Sequence, residues 1–170
     1  MIGRTEVPHW MKSMGGNAPL LKGCWERLKG GVLAGKVPIL LKELIMFTIS
    51  IKRGSPYCES AHAHSVLQLD KTLTFEDLME ISQGKSYKTL PKAFQVAIEV
   101  IGKAGAEPDK VTESDFDRLH EAGFTEEEIA ELVAQADICV MFNTYTNIVG
   151  LPIDAAYHSV KTKLEEARAA

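Results

Sequence analysis

A chain of 170 residues suits one domain of ordinary size with a loose arm, and is too short for two full enzyme domains. Hydrophobic residues make up 45% and charged residues 25%, proportions that exclude wholesale disorder, and a formal net charge of −4 leaves no global attraction for phosphate backbones, so nucleic acid is not an expected partner. Three cysteines, at 24, 58 and 139, are too few and too far apart for a secreted disulfide framework and fit a reducing cytosol.

The longest apolar stretch, Val37 to Ile51, is broken by Lys42, Glu43 and Ser50, so no membrane span is expected. The first residues lack the charged start and apolar run of a signal peptide, and the expectation is a soluble, cytoplasmic protein.

Residues 1–17, with Pro8, Gly15 and Gly16, read as an irregular N-terminal arm whose Trp10, Met11 and Met14 pack on the body or on another subunit. After that the pattern is helical. Leu20, Leu21, Cys24, Trp25 and Leu28 form one apolar stripe that Gly30 and Gly31 are expected to end. Pro38 opens a second helix through Leu41, Leu44, Ile45 and Phe47 to a stop at Gly54. Ser55-Pro56 is a serine N-cap followed by a first-turn proline, and starts a helix to about Leu69. Thr74 with Asp77, Thr112 with Asp115 and Thr125 with Glu128 read as capping boxes of three more helices. Another spans Pro91 to Lys103, and a last one covers about Ala155 to Ala167. No segment alternates with period two. The expectation is an all-α, single-domain bundle of six to eight helices, with the body at 18–155 and a helical tail at 156–170.

One cluster carries chemistry: Gly54-Ser55-Pro56-Tyr57-Cys58-Glu59-Ser60-Ala61-His62. With Ser55 as N-cap, Cys58 is the third helical residue, beside unpaired N–H groups and the positive end of the helix dipole. That placement favours the thiolate, the nucleophilic form. A downward shift of about two units from ~8.5 would make most of the sulfur anionic at pH 7. His62, four residues on, shares the helix face and can take the thiol proton. Glu43 sits within the preceding apolar helix, where a lone carboxylate is costly unless paired, and it could orient His62. Cys58, His62 and Glu43 are therefore the candidate catalytic residues, with Ser55, Tyr57 and Arg53 beside them. No second strong ligand pair suggests a metal, and no glycine spacing matches a phosphate loop, so no cofactor is expected. Cys24 and Cys139 read as core thiols rather than redox partners.

These residues give the chain a resemblance to the alkylhydroperoxidase D-like (AhpD-like) / carboxymuconolactone decarboxylase family. It rests on Glu43 in an apolar helix, then Ser55, Cys58 and His62 at the positions of a C-x-x-C-x-x-x-H motif, and covers roughly residues 18 to 155. The resemblance implies an all-α fold assembling as a trimer, a hexamer or a similar ring. It implies a thiol peroxidase or disulfide reductase in which the cysteine matched by Cys58 attacks a peroxide and becomes a sulfenic acid, while Glu43 and His62 relay protons. The resolving cysteine of that pattern is replaced by Ser55, so the local two-cysteine cycle cannot run, and an external thiol or a thiol protein would have to restore Cys58. Some family members carry a histidine where this chain has Tyr57. The implied activity is a one-cysteine, peroxidase-like oxidoreductase acting on a hydroperoxide or similar small molecule. Two alternatives stand beside it. One is a lyase of the decarboxylase branch, with Glu43 and His62 as acid and base and Arg53 holding a substrate carboxylate. The other is a family member that kept the fold and lost the chemistry.

Overall fold

The computed structural model describes residues 6–85 and 90–169. Residues 1–5 of the expected arm and residue 170 of the expected tail lie outside them. Among the described residues there is no strand. Nine α-helices follow in chain order: α1 (His9–Met14), α2 (Ala18–Leu28), α3 (Ile39–Arg53), α4 (Pro56–Leu69), α5 (Phe75–Ser82), α6 (Lys92–Ala106), α7 (Glu113–Glu121), α8 (Glu126–Val149) and α9 (His158–Ala169). No helix among them is long and apolar enough to cross a membrane.

The centre of the bundle is α3, which packs on α4, α6 and α8. Leu41, Leu44, Ile45, Phe47 and Ile49 are fully buried on it, so this helix is covered nearly all round, as a central helix must be. Its approach to α6 is close because α6 carries glycine there: a Cβ on Gly105 would stand 2.5 Å from Ile49 Cδ1. At its C-terminal end Gly54 takes a left-handed conformation, φ 61°, and Ser55 and Pro56 turn the chain straight into α4. Burying side chains such as these stabilises the fold by about 1.5–3 kcal/mol each, and that collective burial holds the bundle.

Two expectations change. The arm is not irregular throughout, because Pro8 starts α1 and its Trp10 and Met14, one turn apart, are buried in the common core. This supplies a helix beyond the eight read from the sequence. Nor does the chain leave its helix at Gly30 and Gly31. It winds on as a π-helical turn over Lys29–Leu33, bringing Val32 inward. The turn is tied from below by Lys42, whose Nζ donates to the carbonyls of Val32 at 3.0 Å and Ala34 at 2.6 Å and pairs with Glu131. Lys42 is 1% exposed, although the sequence reading gave it no partner.

Candidate active site

A cavity of about 120 Å³ opens between α3, α4 and α8, with α1 and the π-helical turn at its rim. Its apolar wall comes from Trp10, Val32, Leu33, Ile39, Met46 and Phe142, and its polar side from Glu43, Cys58, His62 and Thr146. Trp10 meets Phe142 edge-on, with centroids 5.0 Å apart and planes at 76°.

The cluster read from the sequence converges here. Glu43 on α3 and His62 on α4 face each other, with His62 Nδ1 2.8 Å from Glu43 Oε2. That bond orients the ring and leaves its Nε2 for chemistry. Cys58, one turn before His62, lines the same cavity.

The electrostatics of Cys58 are the reverse of those expected. The residue is 4% exposed, and burial pushes its thiol up rather than down, against the opposing hydrogen bonds of Thr146, Ser55 and Asn143. The reason is geometric. The sulfur turns inward onto α8, where Thr146 Oγ1 is 3.5 Å away, so desolvation outweighs the helix dipole. Burial therefore favours the thiol over the thiolate at Cys58, which shares its cavity with the histidine–carboxylate pair.

Ser55 behaves differently too. It occupies the N-cap position, but its side chain does not cap the helix. Fully buried, it bonds Thr146 Oγ1 at 3.2 Å and also reaches the Cys58 sulfur. Ser55 thus turns its hydroxyl toward the Cys58 sulfur rather than toward the helix end. Tyr57 lines the cavity and donates its hydroxyl to Asp154 Oδ2 at 2.7 Å; burial, and then that carboxylate, hold the phenol well above its ordinary value. Asp154 also accepts from the backbone N–H of His9, so the same carboxylate ties α1 to the active helix. Arg53 is not brought to the site. Its guanidinium donates to the Gly105 carbonyl at 3.3 Å, and neither arginine nor lysine lines the cavity among the described residues.

Sequence reasoning gave no place at the site to Thr146, Asn143 or Cys139, the last read as a core thiol, which it is; the three recur at spacings of four and three and form one stripe of α8. Asn143 Nδ2 donates to Ser50 Oγ at 3.0 Å and to Cys139 Sγ at 3.5 Å. Small polar residues at helical spacing inside an otherwise apolar helix were the available signal. Trp10 was legible as an apolar anchor but not as a wall of the site.

No protein-family model matches the sequence, and no curated protein matches it significantly. Solved structures do resemble it. An uncharacterized peroxidase-related protein from Silicibacter sp. TM1040 superposes with a TM-score of 0.79 at 22% identity, over 89% of this chain and 79% of that one. An AhpD-core, uncharacterized peroxidase-related protein from Ralstonia eutropha JMP134 gives 0.79 at 20% identity over the same shares. The fold is that of the AhpD core. The debrominase Bmp8, in complex with 2,3,4-tribromopyrrole, also gives 0.79, at 21% identity over 93% of this chain and 83% of that one.

Proposed function

We propose that the protein is a thiol-dependent oxidoreductase that reduces a small apolar hydroperoxide with Cys58. The observation that carries this reading is the convergence of Cys58, His62 and Glu43 on one apolar cavity, with the histidine already held by the carboxylate at 2.8 Å. When substrate enters, the Cys58 proton passes to His62 Nε2 and the thiolate attacks the terminal peroxide oxygen. The O–O bond breaks, Cys58 becomes a sulfenic acid, and His62 returns the proton to the leaving alkoxide, which departs as the alcohol. Two equivalents of an external thiol then reduce the sulfur and release water. The neutral resting thiol is compatible with this sequence because the base is at hand and the hydroxyls of Thr146 and Ser55 can stabilise the anion as it forms.

A carboxylated lactone suits the cavity poorly. With Arg53 bound elsewhere, no arginine or lysine among the described residues lines the cavity to face a substrate carboxylate. A catalytically silent family member is disfavoured by the retained Glu43–His62–Cys58 arrangement. The fold's oligomeric ring and the cytoplasmic location remain part of the proposal.

The test is peroxide consumption coupled to a dithiol. Wild type is expected to turn over, with a lower KM for cumene hydroperoxide than for hydrogen peroxide because the walls are apolar. Cys58→Ser should be inactive. Full activity in Cys58→Ser would overturn the assignment. A second reading, reductive debromination of a small ring, draws on the likeness to Bmp8 and on the aromatic wall of Trp10 and Phe142. Release of bromide from 2,3,4-tribromopyrrole with no peroxide turnover would select it.

A further inference from the structure

Among the described residues, Cys139 is the second thiol at the cavity, and this reaction leaves it unused. It lines the same cavity as Cys58, although it lies 81 positions later in the sequence and on another helix. Both sulfurs are served by the same residue. Asn143 Nδ2 donates to Cys139 Sγ at 3.5 Å, and the same side chain favours the anionic form of the Cys58 sulfur. Thr146, one turn further along α8, holds Cys58 at 3.5 Å. The two thiols therefore meet along one stripe of α8, and burial first, then charge on Cys58, holds the Cys139 thiol well above its ordinary value. Cys24, by contrast, lies on α2 and is not part of the cavity lining.

We propose that Cys139 is the internal resolving thiol for oxidised Cys58, taking across two helices the role that Ser55 cannot perform within the motif. This rests on the redox reading of Cys58. Cys139 Sγ attacks the sulfenic sulfur of Cys58, an S–S bond forms, and the sulfenic hydroxyl leaves with the Cys139 proton as water. An external dithiol then reduces the disulfide, returning both thiols and leaving as its own disulfide. A disulfide requires Cα atoms about 4.4–6.8 Å apart and a Cβ–S–S–Cβ angle near 90°, and forming one takes the Cys139 sulfur away from Met46 O and Ser50 Oγ, its present partners at 3.5 and 3.7 Å.

The experiment treats the reduced full-length protein with one equivalent of cumene hydroperoxide, with and without dimedone, and maps the non-reduced peptides by mass spectrometry. In wild type the expected product is a peptide pair joined through Cys58 and Cys139, lost on treatment with dithiothreitol, with little dimedone adduct. In Cys139→Ala the dimedone adduct on Cys58 should rise at least about tenfold, and without dimedone a second equivalent of peroxide should over-oxidise Cys58 to the sulfinic acid. A wild-type protein that accumulates the Cys58 adduct with no cross-link overturns the resolving role while leaving the peroxidase reading intact. A cross-link through Cys24, or between two chains at Cys58, overturns it as well. A Cys58 that does not react with peroxide at all sinks both. The wild-type map needs no variant, so poor folding of Cys139→Ala does not blunt the test.

Discussion

Lys42 and Glu43 are neighbours on α3, and the fold uses them for opposite ends. Lys42 points under the π-helical turn, is 1% exposed, and meets two carbonyls and a carboxylate. Glu131 answers it. Burial pulls that carboxyl up, but Lys42 and the backbone N–H groups of Lys36 and Val37 more than offset this and hold it below its ordinary value. Glu43, a step of about 100° round the helix, faces the cavity and holds one ring nitrogen of His62. The lesson is that a buried charge saturated by protein groups serves architecture, while a pair at a cavity edge with a ring nitrogen left over can serve chemistry. Burial alone would have ranked the two the wrong way round.

Breaking the saturated corner should cost the most stability. Lys42→Met strands the Glu131 carboxylate and frees two carbonyls, and should destabilise by about 3–5 kcal/mol. That is a fall in Tm of roughly 10 °C by calorimetry for a chain of this size. Adding Glu131→Leu should recover much of the loss; a single mutant as stable as wild type would show that the corner is not a buried pair in solution. The cavity pair should behave in the opposite sense. Glu43→Gln and His62→Asn should each lower kcat/KM for peroxide by about 10²-fold or more, while shifting stability by about 1 kcal/mol or less. An equal loss of Tm and activity would erase the contrast.

Thr146→Val sharpens the picture of the sulfur itself. It removes a hydrogen-bond partner 3.5 Å from Cys58. A bond to a charged group contributes about 1.5–3 kcal/mol, so alkylation of Cys58 by iodoacetamide at pH 8 should slow by roughly tenfold. No change would mean that the thiolate is stabilised elsewhere. The smallest effect is in the pH profile. Because burial raises the Cys58 thiol, its alkylation rate should still be climbing above pH 9, where an unperturbed thiol, at ~8.5, is levelling off. The folded protein binds this proton more tightly than the unfolded chain does. Its contribution to stability is therefore complete below ~8.5 and is lost as pH rises through the folded value, and Tm should fall on the alkaline side. A plateau at neutral pH would restore the helix-dipole account.

The architecture was largely legible, because amphipathic spacing, capping boxes and the glycine stop at 54 are local devices whose physics is written within a few residues of each site. Fourteen residues of α4 and the site's Glu43, Cys58 and His62 were placed for the same reason: a spacing of four on one helix, and a carboxylate in an apolar run that needs a partner. The ionisation of Cys58 was not legible. It depends on which way the sulfur turns and how much of α8 covers it, and the helix dipole that sequence position suggested is weaker than that desolvation. Arg53 failed likewise, because nothing local says that the Gly105 carbonyl will be within reach.

From the sequence alone came eight of the helices, most of their ends and the spacing of Glu43, Cys58 and His62, since these follow from backbone propensity and periodicity acting over one or two turns. Only the tertiary structure decided that α8 lays Thr146, Asn143 and Cys139 against Cys58, that α1 walls the cavity with Trp10, and that Lys42 is buried where Glu43 is not. Those are contacts between segments far apart in the chain, and solvation, which sets the charge state of a sulfur or a carboxylate, is the sum of all of them.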